Sequence, residues 1–131
     1  MKKILLIEDE EMAIELYEEV FKKANFEIET LRFGFQAIEA LKEIRQGKKE
    51  KPDLILLDLI LPDINGLEVL REVKSETETK DILVFVLTNY TDPRLIEELI
   101  KEGIDKFLVK TDYAPSELIK LIKEALKINQ K

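Results

Sequence analysis

The 131-residue sequence predicts an α/β fold of the doubly wound kind, with a five-stranded parallel sheet and five helices in a single domain over residues 1–131. Two observations carry this. Ile4-Leu5-Leu6-Ile7, Leu54-Ile55-Leu56-Leu57 and Ile82-Leu83-Val84-Phe85-Val86-Leu87 are apolar without interruption, the pattern of strands covered on both faces. Between and after these runs apolar residues return at helical spacing, so strands and helices alternate along the chain. Short right-handed crossovers then lead to a parallel sheet with helices on both faces.

The first strand, Ile4 to Ile7, ends in Glu8-Asp9-Glu10-Glu11. From about 10 to 23, Ala13, Leu16, Tyr17 and Val20 mark the inner stripe of a helix, and Asn25 breaks it. Glu27 to Arg32 alternates, Ile28 and Thr30 against Glu27 and Glu29, as suits an edge strand. Gly34 opens a second helix to about Arg45, with Ala37, Ile38, Leu41 and Ile44 inward, and Gln46-Gly47 stops it. Lys48 to Pro52 is a solvated connection. After the strand Leu54–Leu57, Pro62 and Gly66 shape a loop. Leu67, Val69, Leu70 and Val73 then mark a third helix, and Ser75 to Lys80 is a polar loop. The strand Ile82–Leu87 ends at Thr88. Thr91-Asp92-Pro93 starts a fourth helix carrying Leu95, Ile96, Leu99 and Ile100; Leu95 and Leu99 supply its inward stripe, so Ile96 and Ile100 are either simply buried as well or a partly exposed pair that serves a partner. Gly103 ends it. Phe107-Leu108-Val109 is a short last strand, and Ala114-Pro115-Ser116-Glu117 begins a final helix expected to end within about three residues of Lys131.

Composition narrows the chemistry. With no Cys and no His, disulfides, thiolate zinc sites, cysteine nucleophiles and the usual general base are excluded. A net charge of -7 argues against direct nucleic-acid or anionic-membrane binding, which demands clustered Lys and Arg. The N-terminal apolar run is too short for a signal-peptide core, and no window approaches a membrane span. A cytoplasmic protein is expected.

In open parallel sheets ligands bind beyond the C-terminal ends of the strands. Asp58 stands at such an end; alone it reads more readily as a loop carboxylate or a helix cap. The other strand ends change that, because Glu8 and Asp9, Asp58, Thr88 and Lys110 all reach the same edge. At roughly 4 Å and an effective dielectric near 20, each carboxylate pair repels by about 4 kcal/mol, and a single Lys does not neutralise three. A divalent cation supplies the missing charge, and all-oxygen ligands favour magnesium.

This set resembles the receiver domain of two-component response regulators, over Lys3 to about Ile128. The matching signals are Glu8-Asp9 after the first strand, Asp58-Leu59-Ile60-Leu61-Pro62-Asp63-Ile64-Asn65-Gly66 after the third, Thr88 after the fourth and Lys110 after the fifth. Each is weak alone; together and in order they are specific. The resemblance implies a flavodoxin-like sheet of order 2-1-3-4-5. It makes Asp58 the phosphoryl acceptor, phosphorylated to 4-aspartylphosphate, and puts magnesium on Asp9, Asp58 and the Ile60 carbonyl, with Glu8 acting directly or through water. Lys110 and Thr88 would assist catalysis, and Thr88 with Phe107 would form the switch, although without the resemblance Phe107 reads as plain core. The donor would be a histidine kinase or His phosphotransfer protein, and the output a protein docked on the fourth helix, fifth strand and fifth helix. Such a domain catalyses only its own phosphorylation and dephosphorylation.

Two positions depart from the family. Thr111 follows Lys110 where a cis-Pro is usual, and a cis non-Pro bond costs about 2.5 to 4 kcal/mol, so a trans bond is expected. Asn89 replaces a very small residue after Thr88 and narrows the pocket entrance. A degenerate receiver serving as a phosphorylation-independent docking scaffold is the alternative. A flavin carrier of the same fold class is disfavoured because Glu8-Asp9-Glu10-Glu11 repels phosphate, and an aspartate-nucleophile phosphatase wants an acid where Ile60 stands. Ending soon after the last helix, the chain reads as a stand-alone receiver.

Overall fold

The computed structural model describes residues 1–128; the expected domain end at Lys131 lies outside them. Five strands, β1 (Lys3–Ile7), β2 (Glu27–Leu31), β3 (Leu54–Leu57), β4 (Leu83–Thr88) and β5 (Lys106–Val109), alternate with helices α1 (Glu11–Lys23), α2 (Gly34–Arg45), α3 (Gly66–Lys74), α4 (Pro93–Lys101) and α5 (Pro115–Ala125). A single 3₁₀ turn, Lys110–Asp112, follows β5. The strands form one parallel sheet of order β2-β1-β3-β4-β5, the order the family resemblance implies.

The uninterrupted apolar runs divide by parity. Leu5, Ile7, Ile55, Leu57, Val84 and Val86 pack with residues of α2, α3 and α4, while Ile4, Leu6, Leu54, Leu56, Phe85 and Leu87 pack with α1 and α5. Each strand thus feeds two cores, which is why these segments carry no polar alternation.

Four of the five helices, α1, α2, α4 and α5, end in the same way. Asn25, Gly47, Gly103 and Lys127 have φ of 67, 73, 95 and 58°. In each case the next residue's N–H returns to a carbonyl five positions back, as in Phe26 to Phe21 at 3.0 Å and Ile128 to Lys123 at 2.9 Å. This left-handed closure satisfies carbonyls that the helix leaves free. At the N-termini, Asn65 and Asp92 accept from Leu67 and Arg94 N–H at 2.9 and 3.0 Å.

Several local expectations are corrected. Leu16 is exposed rather than inward, because α1 seats the four-spaced stripe Ala13, Tyr17, Phe21 together with Ile14, and Tyr17, Phe21 and Phe26 stack edge to face. Val20 and Ile38 are half-buried, while Ala40 is buried. In β2 alternation does not sort the faces: Glu29 is half-buried between Lys3 at 3.2 Å and Lys49 at 2.6 Å. The loop Ser75–Lys80 is not wholly solvated, since Thr79 is buried, donates to the Val73 carbonyl and accepts from Arg45. On α4 only Leu99 is fully buried; Leu95 is half-buried with Ile96, and Ile100 is exposed. The last helix ends at Ala125, earlier than expected, because Lys127 takes the left-handed closing position.

Candidate functional site

Strand register brings the site together. Ile7 pairs with Leu57, Leu57 with Val86, and Thr88 with Val109, so Glu8, Asp58, Thr88 and Lys110 emerge at one sheet edge. Backbone bonds extend past the strands: Asp58 N–H donates to Ile7 O and Glu8 N–H to Leu31 O, both at 3.0 Å. The loop after β3 folds back tightly, with Gly66 N–H donating to Leu59 O at 2.9 Å. A Cβ on Gly66 would lie 2.7 Å from the Asp58 carbonyl oxygen and 2.8 Å from Leu59 Cα, so this position requires glycine for close approach.

A cleft of about 230 Å³ opens there, its walls including Glu8, Asp9, Asp58, Thr88 and Lys110. Glu8, Asp58 and Thr88 are buried, whereas Asp9 is exposed. Carboxylate oxygens of Glu8, Asp9 and Asp58 lie within 4.8 Å of one another. Lys110 Nζ sits 2.5 Å from Glu8 Oε1 and 3.1 Å from Asp58 Oδ2. Asp58 Oδ1 accepts from Ile60 N–H at 3.3 Å, and Glu8 Oε2 from Glu10 N–H at 3.1 Å. Burial pushes the Glu8 carboxyl above its ordinary value; the Lys110 hydrogen bond opposes this and the Asp58 charge adds to it. Desolvation acts to lower Lys110, but the Glu8 hydrogen bond and the Asp58 charge outweigh it, so its pKa is raised and the ammonium stays charged.

The peptide bonds of the described residues are all trans, Lys110–Thr111 included, and Lys110 reaches both acids from this backbone. Thr88 Oγ1 accepts from Tyr90 N–H at 3.2 Å, leaving its hydroxyl proton to donate elsewhere. Asn89, Tyr90 and Ile60 all line the cleft and are exposed. Phe107 is half-buried against the α2–α3–α4 core. Three acids and one ammonium leave the cleft negative, and its oxygen donors suit a hard divalent cation such as magnesium.

One residue beside the site escapes sequence reasoning. Asp63 accepts from Gly34 N–H at 2.8 Å and Phe35 N–H at 2.9 Å, so it caps α2 from the loop after β3. The available signal was negative: Phe33, at the N-cap of α2, has no side-chain acceptor, and the first turn contains no acid.

Sheet order and strand-tip constellation together define a receiver domain. The chain belongs to the response regulator receiver domain family, whose model matches residues 4–123. It is 29% identical over 129 residues to the DNA-binding response regulator MtrA of Mycolicibacterium smegmatis, covering 98% of this chain and 52% of MtrA; the chain thus spans about half the length of that relative. Among solved structures it is similar to the phosphorylated cyanobacterial phytochrome response regulator RcpA, with 33% identity, a TM-score of 0.81 and coverage of 95% and 90% of the two chains. The Mn(2+)-bound form of response regulator Rcp1 shares 31% identity at a TM-score of 0.83, with 100% and 97% covered. Among the described residues no helix is long and apolar enough to cross a membrane.

Proposed function

We propose that this receiver takes a phosphoryl group from a phosphohistidine of a histidine kinase or His phosphotransfer protein onto Asp58, in the cytoplasm, and thereby switches the binding of a protein target. The observation that carries this reading is the convergence of Glu8, Asp9 and Asp58 within 4.8 Å, with Lys110 Nζ 3.1 Å from the acceptor carboxylate. An Asp58 carboxylate oxygen attacks phosphorus as the P–N bond to the donor imidazole breaks, the electron pair leaving with the nitrogen. Lys110 offers its ammonium to the equatorial phosphoryl oxygens, and Thr88 donates its hydroxyl proton once the group is in place. Asp9, Asp58 and the Ile60 carbonyl would hold magnesium, with Glu8 acting directly or through water. When bound, the cation supplies charge neutralisation at the phosphoryl oxygens. The domain promotes only its own phosphorylation and dephosphorylation. Its output surface is the face of α4, β5 and α5; on α4 Ile100 is exposed. That RcpA is described as phosphorylated and Rcp1 as Mn(2+)-bound supports the same chemistry here.

The test is to incubate the protein with a small-molecule phosphodonor and magnesium, and to follow intact mass. A single phosphoryl adduct is expected in wild type and none in Asp58→Asn; an equal adduct in both proteins refutes the assignment. No site residue is missing to favour the phosphorylation-independent scaffold, and failure of the wild type to bind magnesium would be needed to revive it.

A further inference from the structure

The loop from Leu59 to Asn65 is fixed at its ends by its own neighbours. Ile60 and Asn65 form an isolated antiparallel bridge, Gly66 N–H returns to Leu59 O at 2.9 Å, and Asn65 caps α3. The middle of the loop is held instead by a different helix. Both Asp63 carboxylate oxygens are engaged by the first N–H groups of α2, 2.8 Å to Gly34 and 2.9 Å to Phe35, across 29 and 28 residues of sequence. Beside this contact the Ile64 side chain occupies the space where a Cβ on Gly34 would project, so glycine there lets loop and helix meet closely. Desolvation works against ionisation of Asp63, yet the N–H donors of Phe35, Gly34 and Ile64 hold its carboxyl below the ordinary value. Leu61 and Ile64 pack this loop against the core, and Asp63 adds its polar tie to a helix otherwise without a side-chain cap at its N-cap residue.

We infer that Asp63 is a positioning residue for the acceptor site, tying the loop that carries Ile60 to the N-terminus of α2 so that Ile60 keeps its place in the cleft wall and its carbonyl its availability to a divalent cation. This rests on the metal-assisted reading of the site. Asp63 does not line the cleft and acts through the segment between them. Removing a group that orients a metal ligand typically weakens metal affinity about 10- to 100-fold, and the lower end is expected because Ile60 is only one of several donors.

A purely structural cap and a positioning tether are separable. Asp63→Ala removes both functions. Adding Phe33→Asp returns a local carboxylate to the N-cap of α2 and restores the cap without the tether. The measurements are magnesium affinity by titration calorimetry, amide hydrogen exchange at residues 60–64 without metal, and thermal unfolding, on wild type, Phe33→Asp, Asp63→Ala and the double variant. We expect Asp63→Ala to unfold at lower temperature, exchange faster at 60–64 and bind magnesium about tenfold more weakly. The double variant should recover the unfolding temperature while keeping weak binding and fast exchange, and Phe33→Asp alone should bind like wild type. Should Asp63→Ala prove too unstable to titrate, the double variant carries the comparison. Wild-type magnesium affinity in Asp63→Ala, or recovery of affinity together with stability in the double variant, overturns the inference alone. Absence of magnesium binding in the wild type overturns the reading of the site and this inference with it.

Discussion

Replacing Lys110 with Met keeps most of the side-chain volume and removes only the charge, isolating what the ammonium does. At an effective dielectric near 20, its contacts of 2.5 Å to Glu8 and 3.1 Å to Asp58 correspond to about 7 and about 5 kcal/mol of attraction. Most of that offsets the cost of burying charge, since the Glu8 side chain is 2% and the Lys110 side chain 14% exposed. Removing one partner of a buried pair leaves the others uncompensated, and the net loss is about 3 to 5 kcal/mol. For a domain of this size that lowers the unfolding temperature by roughly 10 to 20 °C, measured by calorimetry on chelator-treated protein. Magnesium should reverse part of the loss. In wild type Lys110 and the cation draw on the same carboxylates, so Lys110→Met is expected to bind magnesium more tightly and to show a larger metal-induced rise than wild type. Each tenfold gain in affinity adds about 1.4 kcal/mol at saturation. A variant that unfolds within about 1 kcal/mol of wild type without metal, below the range for a broken buried pair, would falsify the view that Lys110 neutralises the apo site. An equal magnesium shift in both proteins would show that the two cations do not compete.

Thr88→Ala should still accept a phosphoryl group yet lose the population shift at Phe107, which for a change from 1:99 to 99:1 demands about 5.5 kcal/mol of differential stabilisation; amide shifts that respond to beryllium fluoride equally in both proteins contradict this. Phosphorylated Asp58 should be long-lived, because Ile60 and Tyr90 border the cleft without a carboxylate or amide to orient water. Ile60→Asn and Tyr90→Ala should each hasten decay by a few-fold, well below the roughly 10²-fold of a positioned acid–base group, and unchanged lifetimes in both rule out obstruction by these side chains. Glu29 supplies a pH dependence remote from the cleft: burial would raise its carboxyl, but hydrogen bonds from Lys49 and Lys3 prevail and lower it from 4.5. A depressed folded pKa stabilises above the unfolded value, and that stability is lost as pH falls through the folded value. The stability gap between wild type and Glu29→Gln should therefore be constant from neutrality to about pH 5.5 and shrink below pH 4.5; a gap that instead widens on acidification refutes the assigned sign.

What the sequence made legible was whatever depends on continuous local pattern. Leu54–Leu57 without polar alternation identifies a doubly covered strand, and the tips of such strands share an edge, so Glu8, Asp58, Thr88 and Lys110 could be grouped across about half the chain or more. The inner stripe of α1 was misjudged because Leu16 and Ile14 both fit helical spacing with Ala13 and Tyr17; only the tertiary fold, which buries Ile14 and leaves Leu16 exposed, chooses between them. Thr79 and Asp63 were hidden for another reason. Their partners, Arg45 at 34 positions and Gly34 at 29, lie on another helix, and no local pattern encodes them.

The division of the strands between two cores has a consequence for how such a domain can change. Because neighbouring residues of β3 serve opposite cores, one residue inserted or deleted within Leu54–Leu57 would exchange the two sets of side chains and turn the following carboxylate to the other face. The strand therefore acts as a counting device, fixing by residue number which way Asp58 points. A change of length in a connection, such as Lys48–Pro52, would instead leave the acceptor indexed to the sheet, at the cost there of disturbing the Lys49–Glu29 pair.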